Sequence, residues 1–227
     1  MEKIIIIGGS KGIGLEIVKL LVDSFIIVNV SRTAPPIQSD NLSHVNCNIL
    51  TDDLPEIQTA DHLIYCPGSI TLKPFERLNI EDFKRDFEIN FLGAVKAIQH
   101  VLPVLKQSKN SSILLFSTVA CKLGMPFHSS IAAAKCAVEG LTKSLAAELA
   151  PKVRVNAIAP TVTKTELAAK LLRNEKQEAN LIDRHPLKKI LDPKEVATMA
   201  KFLLSQEAKS FSGQIFEMDC GITTLKL

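Results

Sequence analysis

The N-terminal segment contains the pattern that most restricts the fold of this chain. An apolar run at residues 3–7 leads into a glycine-rich segment, Gly8-Gly-Ser-Lys-Gly-Ile-Gly14, and then into a stretch with apolar side chains at helical spacing. A second apolar run occupies residues 25–30. A strand, a glycine loop, a helix and another strand make a βαβ unit with parallel strands. We therefore predict an α/β fold that begins with this unit.

The rest of the chain continues the alternation of short apolar runs and helical patterns. Further strands are predicted at residues 44–49, 62–66, 113–116, 153–159 and 213–218. Helices are predicted at residues 52–59, 79–107 and 131–149 and from Asp192-Pro193 onward. Together these elements predict a single domain, residues 1–227, built as a Rossmann-type, doubly wound parallel sheet of about seven strands with helices on both faces.

One segment, residues 161–190, is polar, rich in lysine and helical only in parts. It follows a predicted strand, so we expect a mobile region over a site at the strand ends. A plain surface connection would explain the same composition equally well.

Charge and composition restrict the kind of partner. A net charge of +3 is too small to indicate a nucleic acid or a membrane surface. No apolar run approaches the ~18 residues typical of a spanning helix, and the start resembles a strand and not a signal peptide. The five histidines lack metal-ligand spacing, and the five cysteines are scattered without a C-x-x-C pair. We expect a reduced, cytoplasmic protein without a metal site that acts on a small molecule.

The glycine loop and the end of the second strand suggest a dinucleotide. Glycines let backbone N–H groups approach a pyrophosphate, and the helix that follows directs its positive end to the same place. The G-x-x-x-G-x-G spacing differs from the usual fingerprint, and such glycines can also simply make a turn. Arg32, with Lys11, suits a 2′-phosphate and favours NADP(H) over NAD(H), although Arg32 could be an ordinary exposed residue.

Taken together, the motifs resemble the short-chain dehydrogenase/reductase family, and the similarity covers nearly the whole chain. The compact branch with the 3-oxoacyl-carrier-protein reductases is the most similar. The shared motifs are the glycine loop, Ile89-Asn-Phe91, Arg154-Val-Asn-Ala-Ile-Ala-Pro160 and Gly213-Gln214. The resemblance implies these cofactor-binding residues: Gly8, Ser10, Lys11, Gly12, Ile13, Gly14, Arg32, Asn48, Gly68, Asn90, Lys135, Pro160, Thr163 and Thr165.

The same resemblance implies an active site that departs from the family pattern at one position. The family uses a serine, a Tyr-x-x-x-Lys pair and an asparagine, which fall here on Thr118, Lys135 and Asn90. Counting back four residues from Lys135 gives Ile131, which cannot donate a proton. A missing general acid lowers the rate by about 10²–10⁴-fold. His128, three residues earlier, is a candidate replacement because histidine changes charge near neutral pH; Tyr65, the one tyrosine, is another.

Three hypotheses follow from this pattern. The first is an NADP(H)-dependent oxidoreductase that reduces a carbonyl or oxidises an alcohol with atypical proton delivery. The second is a catalytically impaired NADP(H)-binding sensor or partner subunit. The third is a plain α/β domain that has lost cofactor binding, against which the glycine loop and Arg32 argue.

The long apolar helices bear on assembly. The resemblance implies that the predicted helices 79–107 and 131–149 pair subunits into a homodimer or homotetramer. Their apolar faces could instead pack within the monomer, against the sheet.

Overall fold

The computed structural model describes residues 1–226, which form one α/β domain around a single sheet. The strands are β1 (Lys3–Ile7), β2 (Ile26–Ser31), β3 (Leu42–Asn46), β4 (His62–Tyr65), β5 (Ser111–Phe116), β6 (Val153–Pro160) and β7 (Ile215–Met218). All neighbouring strands pair in parallel, in the order β3-β2-β1-β4-β5-β6-β7. The predicted Rossmann-type architecture is therefore confirmed.

Residues 1–226 form six α-helices. They are α1 (Gly12–Leu21), α2 (Ile80–Phe87), α3 (Gly93–Leu105), α4 (Ser129–Leu149), α5 (Glu175–Arg184) and α6 (Pro193–Leu204). Of these, α1 and α6 pack on one face of the sheet and α3 and α4 on the other. Along residues 1–226, no helix combines the length and the apolar character needed to cross a bilayer.

Strand β1 shows how the sequence produces this layering. Successive side chains of a strand point to opposite faces. Ile4 and Ile6 accordingly pack in the apolar cluster with α1 and α6, and Ile5 and Ile7 in the cluster with α3 and α4. Burial of one isoleucine stabilises the fold by about 1.5–3 kcal/mol. A continuous apolar run is thus the expected signature of a strand covered on both faces.

The chain order places a crevice beside β1. From β1 the chain runs outward to β2 and β3, and then returns to the other side of β1 to form β4. The connections after β1 and β4 therefore lead in opposite directions. In open α/β sheets, ligands bind at this point, outside the carboxyl ends of the strands.

The predicted helix over residues 79–107 is confirmed as an unbroken helical stretch over residues 80–105, which contains one π turn that the sequence pattern did not predict. A π-helical turn, Glu88–Leu92, separates α2 from α3. Asn90 lies in this turn, and its side-chain Nδ2 donates to the backbone oxygen of Asp86 over 2.8 Å. That oxygen is the one an α-helical N–H at position 90 would use. Single π turns inside α-helices are frequent at functional sites.

Tyr65 completes this turn from the sheet. Its Oη donates to the backbone oxygen of Ile89 over 2.6 Å, and the ring is almost fully buried. Gly93 leaves the room this needs, since a Cβ there would lie 2.2 Å from Oη. Burial raises the pKa of Tyr65 far above its usual range.

The predicted helix over residues 52–59 is wrong, because this segment is irregular. Pro55 disfavours helical backbone at the residue before it. Two carbonyls of the segment bind side chains of α3 instead. Lys96 Nζ donates to the Asp52 oxygen over 2.7 Å, and His100 Nε2 lies 2.8 Å from the Pro55 oxygen.

Smaller differences concern the ends of elements. Strand β3 begins two residues before the predicted 44–49 and stops earlier, at Asn46. Residues 161–190 include a 3₁₀ turn, Glu166–Ala168, and helix α5. The bridge between Thr163 and Leu191 ties the two ends of this segment together. Its mobility stays a prediction.

We predict that Tyr65→Phe lowers the free energy of unfolding by roughly 1–3 kcal/mol, the cost of leaving a buried carbonyl unpaired. Urea unfolding at neutral pH measures this loss. Gly93→Ala should destabilise the wild type more than it destabilises Tyr65→Phe, because the clash with Oη is then gone. An unchanged unfolding free energy in Tyr65→Phe would contradict this account of the π turn.

Candidate active site

A pocket lies at the carboxyl ends of β4, β5 and β6 and brings together most of the predicted site residues. Nine of them line it: Ile13, Gly68, Asn90, Thr118, His128, Lys135, Pro160, Thr163 and Thr165. Ile131, at the position where the resemblance implies tyrosine, lines it as well. Gly8, Ser10, Lys11, Gly12 and Gly14 form the loop beside Ile13. Arg32 and Asn48 lie outside the pocket, just past the ends of β2 and β3.

The glycine loop has the shape of a phosphate cradle. It joins β1 to α1, whose N-terminal N–H groups are free of intrahelical partners. A Cβ at Gly14 would lie 2.3 Å from the backbone oxygen of Gly8, so a side chain at Gly14 would push the loop apart. The residues present therefore fit the pyrophosphate of a dinucleotide.

Asn29 holds this loop from below, a contact that the sequence analysis missed. Its Oδ1 accepts from the Gly9 N–H over 2.8 Å, and its Nδ2 contacts Ser31 Oγ and His44 Nδ1. Asn29 is fully buried. A polar residue inside the apolar run 25–30 was the available sign, because a buried amide requires partners.

The charged groups near the loop, Arg32 and Lys11, differ in whether they contact another side chain. Arg32 is exposed, at the end of β2. Lys11 Nζ lies 2.9 Å from Glu166 Oε2, in a pair whose two side chains are 64% and 73% exposed. Such a pair is worth little in water, so Lys11 remains available to a phosphate. Ser10 Oγ accepts from Thr33 Oγ1 over 3.2 Å, which connects the loop to the segment after Arg32.

Asn48 occupies a turn beyond β3. Its Oδ1 accepts from the Leu50 N–H over 3.2 Å, and its own N–H donates to Asp52 Oδ2 over 2.8 Å. The Asn48 amide Nδ2 has no partner among residues 1–226, so it can contact a ligand.

Asn90 fastens the loop after β4 to the π turn. Its Nδ2 donates to Ser69 Oγ over 3.0 Å, and its Oδ1 lies 3.4 Å from the Ser69 nitrogen. Gly68 packs against the same amide. The side chain is buried, and one edge of it lines the pocket. Asn90 therefore shapes the pocket wall through Ser69.

Lys135 projects from α4 toward the end of β5. Its Nζ donates to the backbone oxygen of Phe116 over 2.9 Å. Burial lowers the pKa of Lys135 to about 8, while the negative charge of Asp86 acts in the opposite direction. Cys66, which also lines the pocket, has its thiol pKa raised by burial to about 12, so the thiol stays neutral.

Thr118 presents a hydroxyl to the same space. Its Oγ1 accepts from the Ala120 N–H over 3.3 Å and so caps the short 3₁₀ turn Val119–Cys121. Its hydroxyl hydrogen has no acceptor among residues 1–226, which leaves it free for a substrate oxygen. The preceding Ser117 is already used, since its Oγ donates to Glu139 Oε1 over 2.6 Å.

The position where the resemblance implies tyrosine is apolar. Ile131 lines the pocket and is 4% exposed. His128 lines it nearby, with Nδ1 2.7 Å from the backbone oxygen of Pro126. A carbonyl only accepts, so the hydrogen is assigned to Nδ1 and Nε2 is the free ring nitrogen. Tyr65 does not line the pocket, and its hydroxyl is bound to Ile89.

Most of the remaining wall is apolar. Side chains that the sequence analysis did not single out include Ile70, Phe116, Val119, Met125, Leu167 and Leu171. Their spacing in the sequence carries no sign of a common site, because four separate loops and strands supply them. Among residues 1–226, no group of three or more histidine, cysteine or acidic side chains is arranged to hold a metal.

Comparison with known proteins gives this arrangement a family. A family profile described as enoyl-(acyl carrier protein) reductase matches residues 47–223. The chain is similar to the 3-oxoacyl-acyl-carrier-protein reductase of Thermotoga maritima, with 35% identity over 147 residues, which are 64% of this chain and 59% of that protein. It is also similar to carbonyl reductase (NADPH) 2 of Sus scrofa, with 28% identity over 230 residues, which cover 96% of this chain and 94% of that protein.

Solved structures agree with these relatives. A short-chain dehydrogenase family protein from Francisella tularensis superposes with a TM-score of 0.91 and 25% identity, over 99% of this chain and 100% of that one. The match to the Thermotoga protein spans less than two thirds of that protein, whereas the other two matches are nearly complete. Because the profile also covers most of the chain, this protein belongs to the short-chain dehydrogenase/reductase family of oxidoreductases.

Proposed function

We propose that this protein is an NADP(H)-dependent oxidoreductase that reduces a carbonyl, or oxidises the corresponding alcohol, without a tyrosine as proton donor. The observation that carries the proposal is the meeting of Asn90, Thr118 and Lys135 at one pocket beside the glycine loop. A catalytic group must lie within hydrogen-bond reach of the reacting atom, and these groups share one such space.

The proposal also assigns the residues that bind the cofactor. The glycine loop and the start of α1 bind the pyrophosphate, and Arg32 with Lys11 binds a 2′-phosphate. Lys135 binds the nicotinamide ribose. Asn48 contacts the adenine, and Gly68, Pro160, Thr163 and Thr165 border the remainder. A bound nicotinamide supplies the hydride for the substrate carbon. The name of the Sus scrofa relative includes NADPH, which supports the preference.

The substrate end has one polar group and an apolar wall. The Thr118 hydroxyl donates to the substrate oxygen and stabilises the negative charge that forms there. Ile131 provides no proton, so a different donor is required. His128 is our candidate, because its free Nε2 becomes a donor when the ring is protonated. The apolar lining favours a carbonyl compound with an apolar body.

A second function is favoured by one observation, the buried isoleucine at position 131. A chain that keeps the cofactor groups and lacks the acid is suited to sense NADP(H) or to serve as a partner subunit. In that case NADPH would change the assembly or the binding of a partner without turnover. Sedimentation with and without NADPH measures whether the nucleotide changes the assembly. A change without turnover would support the sensor function over the oxidoreductase.

The proposal also includes the oligomeric state and the cellular location of the protein. We infer a cytoplasmic homodimer or homotetramer that pairs through the side formed by α2, α3 and α4. Ile80 and Leu92 on that side are 68% and 52% exposed, which is costly for large apolar side chains in water. We also infer that residues 161–190 move to admit the substrate.

Arg32→Ala should weaken NADPH binding by roughly ten- to a hundredfold, because a charge-assisted contact to the 2′-phosphate is lost. NADH binding should remain unchanged. Fluorescence titration with both nucleotides measures this difference. Arg77→Ala, which removes an exposed arginine from the 3₁₀ turn Phe75–Arg77, is the matched control. Equal losses for both nucleotides would contradict a role in 2′-phosphate recognition.

Ile131→Tyr should raise the rate of NADPH oxidation with carbonyl substrates by about 10²–10⁴-fold, because it adds a proton donor at the pocket. Ile131→Phe adds a similar ring without the hydroxyl and should give no gain. Steady-state rates over a panel of aldehydes and ketones provide the measurement. If NADPH binds while both variants and the wild type stay inactive, the oxidoreductase proposal fails and the sensor function gains support.

His128→Gln should lower wild-type kcat by at least about a hundredfold while leaving the Kd for NADPH within a small factor. In the Ile131→Tyr background the same change should matter much less, since the tyrosine then supplies the proton. His100→Gln, on α3 and away from the pocket lining, is the control. Equal losses in both backgrounds would show that His128 is not the donor.

A further inference from the structure

Asp86 is a buried carboxylate that the proposed chemistry does not yet use. It lies in the last turn of α2 and is fully buried. Its Oδ2 is the one buried side-chain polar atom without a hydrogen-bond partner in the protein over residues 1–226. Asp86 also makes no ion pair with the residues in that range. A buried charge with an unsatisfied oxygen is costly, so its presence requires a reason.

Asp82, one turn earlier on the same helix, is a buried carboxylate whose oxygens both have partners. Its carboxylate is also buried, yet Lys73 Nζ contacts both of its oxygens, over 2.9 and 2.8 Å. It also closes a capping box with Asn79 at the start of α2. These partners compensate for the burial of the Asp82 carboxylate, which therefore has a structural role in α2. Asp86 has no such explanation.

The partners of Asp86 lead directly to the pocket. Its Oδ1 accepts from Ser69 Oγ over 2.6 Å and from Thr71 Oγ1 over 3.3 Å. Ser69 Oγ in turn accepts from Asn90 Nδ2 over 3.0 Å. The backbone oxygen of Asp86 accepts from the same Nδ2 over 2.8 Å. Asp86 thus holds the Asn90 amide twice, once directly and once through the Ser69 hydroxyl.

We propose that Asp86 is a positioning residue of the active site, which fixes the Asn90 amide and the pocket wall at Gly68–Ile70 through the Ser69 hydroxyl. This inference rests on the proposed oxidoreductase function. Asn90, Gly68, Ser69 and Ile70 all line the pocket, whereas Asp86 stands behind them. Its hydrogen bonds therefore reach the site through other residues.

A carboxylate suits this place better than a neutral acceptor. An ionised acceptor forms shorter and stronger hydrogen bonds, in keeping with the Ser69 contact. Its charge also acts on Lys135, whose pKa it raises against the effect of burial. The other titratable groups that act on Lys135 are the thiols of Cys66 and Cys121, and burial raises the pKa of both.

The experiment uses Ser69→Ala, Asp86→Ala, their double variant and Asp86→Asn, with Asp82→Asn as the control. If Asp86 acts through Ser69, each alanine variant should lower kcat by roughly tenfold with a small change in KM, and the double variant should lose little more. Asp86→Asn keeps an oxygen acceptor and should retain most of the activity at neutral pH. Where the wild type turns over too slowly, the Ile131→Tyr background serves.

The pH dependence of NADPH binding distinguishes positioning from a general loss of stability. Affinity should fall as pH rises through the Lys135 pKa of about 8, because the ammonium form then disappears. Removing the Asp86 charge disfavours the ammonium, so in Asp86→Asn this fall should move to lower pH. Asp82→Asn should leave the midpoint where it is in the wild type.

Hydrogen exchange on the protein without nucleotide tests the positioning independently of function. Ser69→Ala and Asp86→Ala should each speed amide exchange in residues 88–92, while Asp82→Asn should leave that segment protected. Absence of turnover and of NADPH binding in the wild type would refute the proposed function, and the exchange result would still decide the role of Asp86. Additive losses in the double variant, or unchanged exchange at 88–92, would overturn the proposal.

Discussion

The amide of Asn90 is the contact on which the rest of the site depends. It donates to the Asp86 carbonyl within the π turn that joins α2 to α3. It also binds Ser69 in the loop after β4. Tyr65 closes the turn from the sheet by binding the Ile89 carbonyl. Strand β4, the loop after it and the helical segment α2–α3 are therefore joined by buried hydrogen bonds. These bonds fix the position of the pocket wall.

Two charged groups, Lys135 and Asp86, dominate the electrostatics of the largely apolar pocket. Lys135 is held by one backbone oxygen, and burial alone shifts its pKa toward neutrality. Asp86 works against that shift from behind the pocket wall. The groups proposed for the cofactor phosphates, Arg32 and Lys11, are exposed at the far end. In the proposed function these groups bind a dinucleotide, and Ile131, which cannot donate a proton, leaves that step to another group.

Much of the fold could be predicted because apolar runs are a reliable sign of strands buried on both faces. The glycine loop was recognisable for a similar reason, since its neighbours are a strand and a helix. The segment 52–59 was mispredicted because two of its carbonyls bind Lys96 and His100, side chains of α3. The helix over 79–107 was predicted correctly, but not the π turn inside it, where Asn90 and Tyr65 bind backbone oxygens. Helical spacing contains no information about such competing donors.

The sequence by itself determined the parallel α/β architecture, the place of the glycine loop, and the fact that Ile131 stands one helical turn before Lys135. These depend on local periodicity and on the identity of single residues. Only the tertiary structure decided that Tyr65 supports the π turn and does not line the pocket, and that Asp86 lies behind Asn90. The physical reason is that a buried polar group is defined by the partners that fold around it, and those partners come from distant parts of the chain.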